Sequence, residues 1–260
     1  VGAQTDATLN LPSESVQVTT KQGFGWQESL PGVTSWSLDT GNLLKPSGGQ
    51  PFLSNDQPDR TYLAIGSTNV PKLTSVGVTL TQEIERVSTH SGGLTQSLFL
   101  GQRGVSIDVD GLYLDPAASD SQIQTLLDAR NNADRLDLTF GIDTLEISGS
   151  FSLDDLTIEG AAEAAPISFS ATFSSSGPSA KGGTDLDSSV MAAIDAFFNQ
   201  TAATAAFELQ DGSGGAIVGS TRFSGSGYFS DVSFTADTES PAELSATIEG
   251  DGAITTAEVA

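Results

Sequence analysis

Two segments of this chain each occur twice, and their order along the chain restricts the fold more than any single motif does. The stretch Leu9-Asn-Leu-Pro-Ser-Glu-Ser-Val-Gln-Val-Thr-Thr-Lys-Gln-Gly23 aligns without gaps on Val78-Thr-Leu-Thr-Gln-Glu-Ile-Glu-Arg-Val-Ser-Thr-His-Ser-Gly92. Leu11 falls on Leu80, Glu14 on Glu83, Val18 on Val87 and Thr20 on Thr89. Downstream, Ser35-Trp-Ser-Leu-Asp39 matches Ser106-Ile-Asp-Val-Asp110, and both alternate apolar and polar residues as a half-buried strand does. A second kind of segment also recurs. Ile147-Ser-Gly-Ser-Phe-Ser-Leu-Asp-Asp-Leu-Thr-Ile158 resembles Phe223-Ser-Gly-Ser-Gly-Tyr-Phe-Ser-Asp-Val-Ser-Phe234, and Ser170-Ala-Thr-Phe173 matches Ser245-Ala-Thr-Ile248.

Each copy of this back segment follows a stretch with helical spacing. The first covers 121–131, with Ile123, Leu126 and Leu127 on one face, and the second covers 188–198, with Val190, Ile194 and Phe197. Asp120 and either Asp187 or Ser188 are suited to be their N-caps. The order is front, front, helix, back, helix, back. The second front runs straight into the nearer helix and back, so the first front is left to pair with the last ones. The sequence therefore predicts a mainly β chain of two modules, each with one helix, one inserted in the other. The inserted module spans 61–178 and the split one 1–50 plus 184–260, with Gly-, Ser- and Pro-rich linkers at 45–60 and 174–184.

Composition removes several function classes. The chain has no cysteine, and its one histidine, His90, lies in a polar Gly-rich turn. Zinc sites of the usual ligands cannot be assembled, and a Ser-His-Asp triad would have to hold that loop imidazole rigidly, so the residues predict no enzyme and no cofactor. No apolar stretch approaches the roughly 20 residues of a membrane span, and residues 1–11 lack the basic start and apolar run of a signal peptide, which predicts a soluble chain with no membrane partner. Against 33 acidic residues stand 10 basic ones, a formal net charge of −23. Such a surface repels phosphate. The acidity has two readings at this stage, a repelling surface put to use or a host with a salty cytoplasm, the latter in keeping with only Lys21, Lys45, Lys72 and Lys181.

Other motifs read as parts of the fold. Asp108-Val-Asp-Gly111 begins like a calcium loop but lacks the later ligands, so it reads as a strand end and turn. Asp154-Asp155 and Asp231 recur at one repeat position and read as a turn cap, with a weak cation site as the alternative. The triplet Asn199-Gln-Thr201 fits a glycosylation sequon, a pattern common by chance. The Gly-rich stretch 212–215 has no lysine and reads as a hairpin tip.

With these residues in view, the chain resembles the major tail tube proteins of long-tailed, siphovirus-type phages or archaeal viruses. The resemblance rests on the front pattern Thr5-Asp-Ala-Thr-Leu-Asn-Leu11, Glu14, Val18-Thr-Thr-Lys21 and Gly25-Trp-Gln-Glu-Ser-Leu-Pro-Gly-Val-Thr-Ser-Trp-Ser-Leu-Asp39. It extends through Val105-Ser-Ile-Asp-Val-Asp-Gly-Leu-Tyr113, the helix after it and the back segments. It implies that each module is a β-sandwich or half-barrel with one flanking α-helix, and that the chain is a structural virion protein, located in the virion tail and in the host cytoplasm during assembly, whose subunits continue one another's inner sheet into rings that stack as a conduit for DNA. Its implied partners are copies of itself, other virion tail proteins, and DNA passing through without specific binding. Family members carry one module per chain in sixfold rings; a doubled module implies trimeric, pseudo-hexameric rings. The resemblance also implies that the long front turns reach the neighbouring ring, making Thr20, Lys21, Phe24, Trp26, Arg86 and His90 interface candidates, and that Ser35, Ser37 and Asp108 face the lumen. The competing reading is an acidic cell-surface or secreted β-sandwich of a halophile that binds glycan or protein.

Overall fold

The computed structural model describes residues 3–19, 27–43, 61–70, 72–88, 96–113, 121–142, 145–160, 167–183, 188–211, 215–238 and 242–259. In chain order the strands are β1 (Ala3–Asn10), β2 (Ser13–Thr19), β3 (Gln27–Thr34), β4 (Ser37–Leu43), β5 (Thr61–Ile65), β6 (Thr68–Asn69), β7 (Leu73–Ser88) and β8 (Gln96–Tyr113). Helix α1 (Ser121–Asn132) leads to β9 (Arg135–Ile142), β10 (Leu145–Glu159), β11 (Ile167–Ser175) and β12 (Ala180–Gly183). Helix α2 (Ser188–Asn199) leads to β13 (Ala203–Phe207), β14 (Thr221–Asp237) and β15 (Glu243–Glu258). The molecule is mainly β, as its alternating sequence requires, and both helices begin where the helical spacing begins.

Among the described residues all strands but two form one antiparallel sheet of thirteen, ordered β1-β4-β15-β14-β7-β8-β11-β10-β9-β5-β6, with β12 also on β10 and β13 also on β14; β2 and β3 make a separate hairpin. Within this sheet, the run β1-β4-β15-β14-β13 and the run β7-β8-β11-β10-β9 have the same order. Their irregularities coincide too. The β1–β4 register shifts between Gln4 and Asp6, the β7–β8 register between Leu73 and Ser75; β2–β3 shifts between Ser13 and Ser15, β7–β8 again between Gln82 and Ile84. Glu14 and Glu83, matched in sequence, are the single residues that face the bulged pairs Gly32-Val33 of β3 and Gly101-Gln102 of β8. The shift between Leu153 and Asp155 in β10–β11 is matched by that between Phe229 and Asp231 in β14–β15. A bulge re-aims a strand, so bulges at matching positions hold both runs to one curvature. Where β7 and β8 run unbroken, the first run is cut at Leu11 and Pro12, and proline cannot supply the ladder N–H.

The apolar faces share one core. Phe140 of β9 and Phe234 of β14 have ring centroids 6.3 Å apart although four strands lie between them in the sheet order, so the sheet curls over itself. α1 packs on β10 through buried Ile123, Leu126 and Ala129, and α2 on β14 through buried Ala193, Ile194 and Phe197. Leu127 is half-buried against the same core. Lys181 of β12 meets Asp195 of α2 and ties that helix to the sheet.

Several expectations change. Within 174–184, read as a linker, Ser174 and Ser175 close β11, and residues 180–183 form β12, because their backbone finds a partner in residues 145–148 of β10. Asp108 and Asp110 lie inside β8, which runs on to Tyr113, so there is no turn there. Asp154, Asp155 and Asp231 stand in mid-strand at the two matching bulges and cap no turn. Leu38 pairs Ile248 while Ile107 pairs Phe173; since 245–248 matches 170–173, Leu38 corresponds to Ile107, two residues from the alignment drawn from sequence.

Candidate functional site: a polar sheet face between two open edges

Residues directly opposite in antiparallel strands share a face, so the registers place the polar side chains without ambiguity. Opposite the core, Thr8, Asp39, Thr247 and Asp231 stand in one row across β1, β4, β15 and β14. Gly77, Asp108, Thr172 and Asp155 make the corresponding row across β7, β8, β11 and β10. Each row carries the same charge-assisted hydrogen bond. Thr247 Oγ1 donates to Asp39 Oδ1 over 2.8 Å, and Thr172 Oγ1 donates to Asp108 Oδ1 over 2.7 Å. Asn10 Nδ2 adds a 3.0 Å bond to Asp39 Oδ2. Between the rows, Ser233 and Ser245 hydroxyls meet at 2.6 Å.

The face is acidic throughout. Asp110, Glu159 and Glu249 extend it, and neither lysine nor arginine occurs in residues 37–43, 75–81, 104–113, 153–159, 167–175, 231–237 or 243–249. Arg86, farther along β7, meets Glu249, and carboxylates in such excess over countercharge raise the local negative potential. Burial beside the β14 bulge pushes the Asp231 carboxyl above its ordinary value. A groove of about 510 Å3 runs over the face, lined by Asp39, Asn42, Glu243, Ser245 and Thr247 among others. Among the described residues no group of three or more histidines or carboxylates is placed to hold a metal ion.

Two stretches of strand end this surface. β1 pairs β4 on one side, and residues 155–159 of β10 pair β11 on one side; among the described residues neither has a strand on its other side. Exposed apolar side chains lie on both, Leu11 just past β1 and Ile158 in β10. Exposed strand edges of this kind are templates for further pairing.

Of the residues singled out from the sequence, Ser37 and Asp108 stand on the polar face. Ser35 precedes β4 at its joint with β3, where its N–H donates to the Pro12 carbonyl over 3.2 Å. Arg86, in β7, is engaged with Glu249 of its own chain. Thr20, Lys21, Phe24, Trp26, His90, Asp120, Asp187, the Val190 side chain and the tip 212–214 lie outside the described residues. Sequence reasoning passed over Asp39, Thr172 and Thr247. The recurring Ser-Ala-Thr carried the signal for the two threonines, but a partner strand was needed to show what they touch.

No family model matches the chain, and no curated protein matches it. Among solved structures it is similar to a chain of the virion of a native gene transfer agent particle, with 18% identity over 51% of this chain and 100% of that one and a TM-score of 0.41. It is also similar to a chain of the tail of an empty gene transfer agent particle, solved with C6 symmetry, with 17% identity over 48% of this chain and 96% of that one and a TM-score of 0.39.

Proposed function

We propose that this chain is a structural virion protein that assembles with copies of itself into stacked rings forming a tail tube, a conduit through which DNA passes without specific binding. The observation that carries the reading is the strand order made twice within one sheet, the two runs joined side by side through β14 and β7. On this reading the chain holds two tube modules, one split around the other, and three chains supply the six positions of a ring. The sequence resemblance to tail tube proteins supports the same assignment. The acidic face would line the bore, where carboxylates keep phosphates from adhering.

Closure matters physically. A ring hides every lateral edge, whereas an open array leaves an edge that keeps recruiting strands. No step of this function needs a catalytic group; the work is done by shape, pairing and charge. Other virion tail proteins would cap the stack, and the long front turns would meet the next ring.

Electron microscopy of the purified protein across a range of concentrations and salt tests the reading. Rings or tubes are expected. A monodisperse monomer under all conditions would overturn it and favour an acidic β-sandwich binding module.

A further inference from the structure

The joint between the two runs of strands is fully formed inside the chain. Residues 231–237 of β14 pair antiparallel with residues 75–81 of β7, Val232 opposite Leu80 and Phe234 opposite Val78. These four side chains are 2%, 2%, 6% and 2% exposed, in the order Val232, Leu80, Phe234, Val78. The matching bulges fix which residues hold the same places elsewhere. Leu156 and Ile158 follow the β10 bulge as Val232 and Phe234 follow the β14 bulge, and Leu9 and Leu11 lie between the two bulges of the first run as Val78 and Leu80 do in the second. Here, however, no strand among the described residues pairs alongside them. Leu11 is 51% exposed and Ile158 40%, while Leu9 and Leu156 are half-buried. The same positions are sealed at one joint and open at the two ends of the surface.

Resting on the ring-subunit reading, we infer that copies of this chain join by repeating the β14–β7 joint, β1 of one copy pairing antiparallel with residues 155–159 of β10 in the next. Transferring the internal register sets Leu11 opposite Leu156, Asn10 opposite Thr157, Leu9 opposite Ile158 and Thr8 opposite Glu159. The joint is head to tail, because the two edges differ and lie at opposite ends of the paired runs; such a contact propagates until rotation closes it. It buries the two exposed apolar side chains, continues the apolar face of the sheet between copies and keeps Asn10 and Thr157 on the polar face. A contact between two β1 edges would bury Leu11 but leave Ile158 in water.

The chain has no cysteine, so introduced pairs report without background. Asn10→Cys with Thr157→Cys places two thiols directly opposite across the inferred joint, at Cα separations of about 4.5–5.5 Å that a disulfide spans. Asn10→Cys with Glu159→Cys is one pair out of step, at about 7–8 Å, beyond easy reach. On mild oxidation of assembled particles, the matched pair is expected to give a ladder of covalently linked chains on a non-reducing gel, with about tenfold more product than the offset pair. Thr8→Cys with Glu159→Cys, a second matched pair, is expected to behave like the first and guards against one variant failing to assemble. Rings or tubes in which neither matched pair links, or in which the offset pair links as well, would overturn this joint and leave the tube reading standing. Unmodified protein that stays monomeric would overturn both.

Discussion

Thr172 donates its hydroxyl to the Asp108 carboxylate across 2.7 Å, tying β11 to β8, and Thr247 does the same to Asp39 across 2.8 Å, tying β15 to β4. Both contacts satisfy a carboxylate oxygen on strand segments that themselves carry no lysine or arginine. Thr172→Val and Thr247→Val keep the side-chain shape and remove the donor. Each is expected to cost about 0.5–1.5 kcal/mol, the solvent-screened end of the range for a bond to a charged group. Urea titrations of the two variants check this. Equal losses fit equivalent roles, and no loss in either would mean that water serves the carboxylates as well as threonine does.

Trp36 shows how the two runs fill the same space differently. Its indole lies on Gly225 and Gly250, where an added Cβ would come within 2.4 Å and 2.1 Å of the ring. The corresponding residues of the other run are Val105, Gly149 and Ser175, with the large side chain supplied from β10 by fully buried Phe151. Gly250→Ser is therefore expected to destabilise by about 1–3 kcal/mol through overpacking. Adding Trp36→Val should recover part of that loss, because it clears the clash and removes an indole N–H that has no partner among the described residues. Thermal melting of the single and double variants measures the coupling; strictly additive losses would contradict the contact.

Asp231 sets a pH dependence. Burial raises its folded pKa above the 3.8 of an ordinary aspartate, so the folded state holds its proton more tightly than the unfolded state. Its contribution to stability is fully present below the unfolded value and is lost as pH rises through the folded one. Asp231→Asn should accordingly raise the melting temperature at neutral pH, with the gain shrinking to nothing in acid. A gain that is constant with pH would point away from titration of this carboxyl.

How much of this was legible in the sequence depends on what each signal requires. The recurrence of the front and back segments could be read because local identity survives at the bulges, as at Glu14 and Glu83, and in Ser-Ala-Thr. The position of Leu38 slipped by two residues because a strand has a period of two, so a shift of two preserves every apolar and polar position. Only the partners Ile248 and Phe173 fix it. Asp154 and Asp155 looked like a turn because a bulge tolerates the same polar residues as a turn. Residues 180–183 looked like linker since their order comes from β10, not from their own propensity. Leu11 and Ile158 looked like any other inward-facing strand residues, because alternation reports a face but not whether a neighbouring strand covers it.

Self-repulsion among the carboxylates predicts a response to salt. With a net charge of −23 and a screening length of about 10 Å at 0.1 M, added salt should raise the melting temperature and promote assembly. Calorimetry from low to molar salt checks this. A flat melting temperature would mean that repulsion does not limit the fold, leaving the acidic face to be explained by the bore alone.

The most direct test of the account is the number of chains in one ring, obtained from the mass of an isolated ring or from symmetry analysis of tube images. The account predicts three chains, with threefold symmetry and six similar positions around the bore. Six chains per ring would contradict it, since one run of strands in each chain would then stand outside the tube wall.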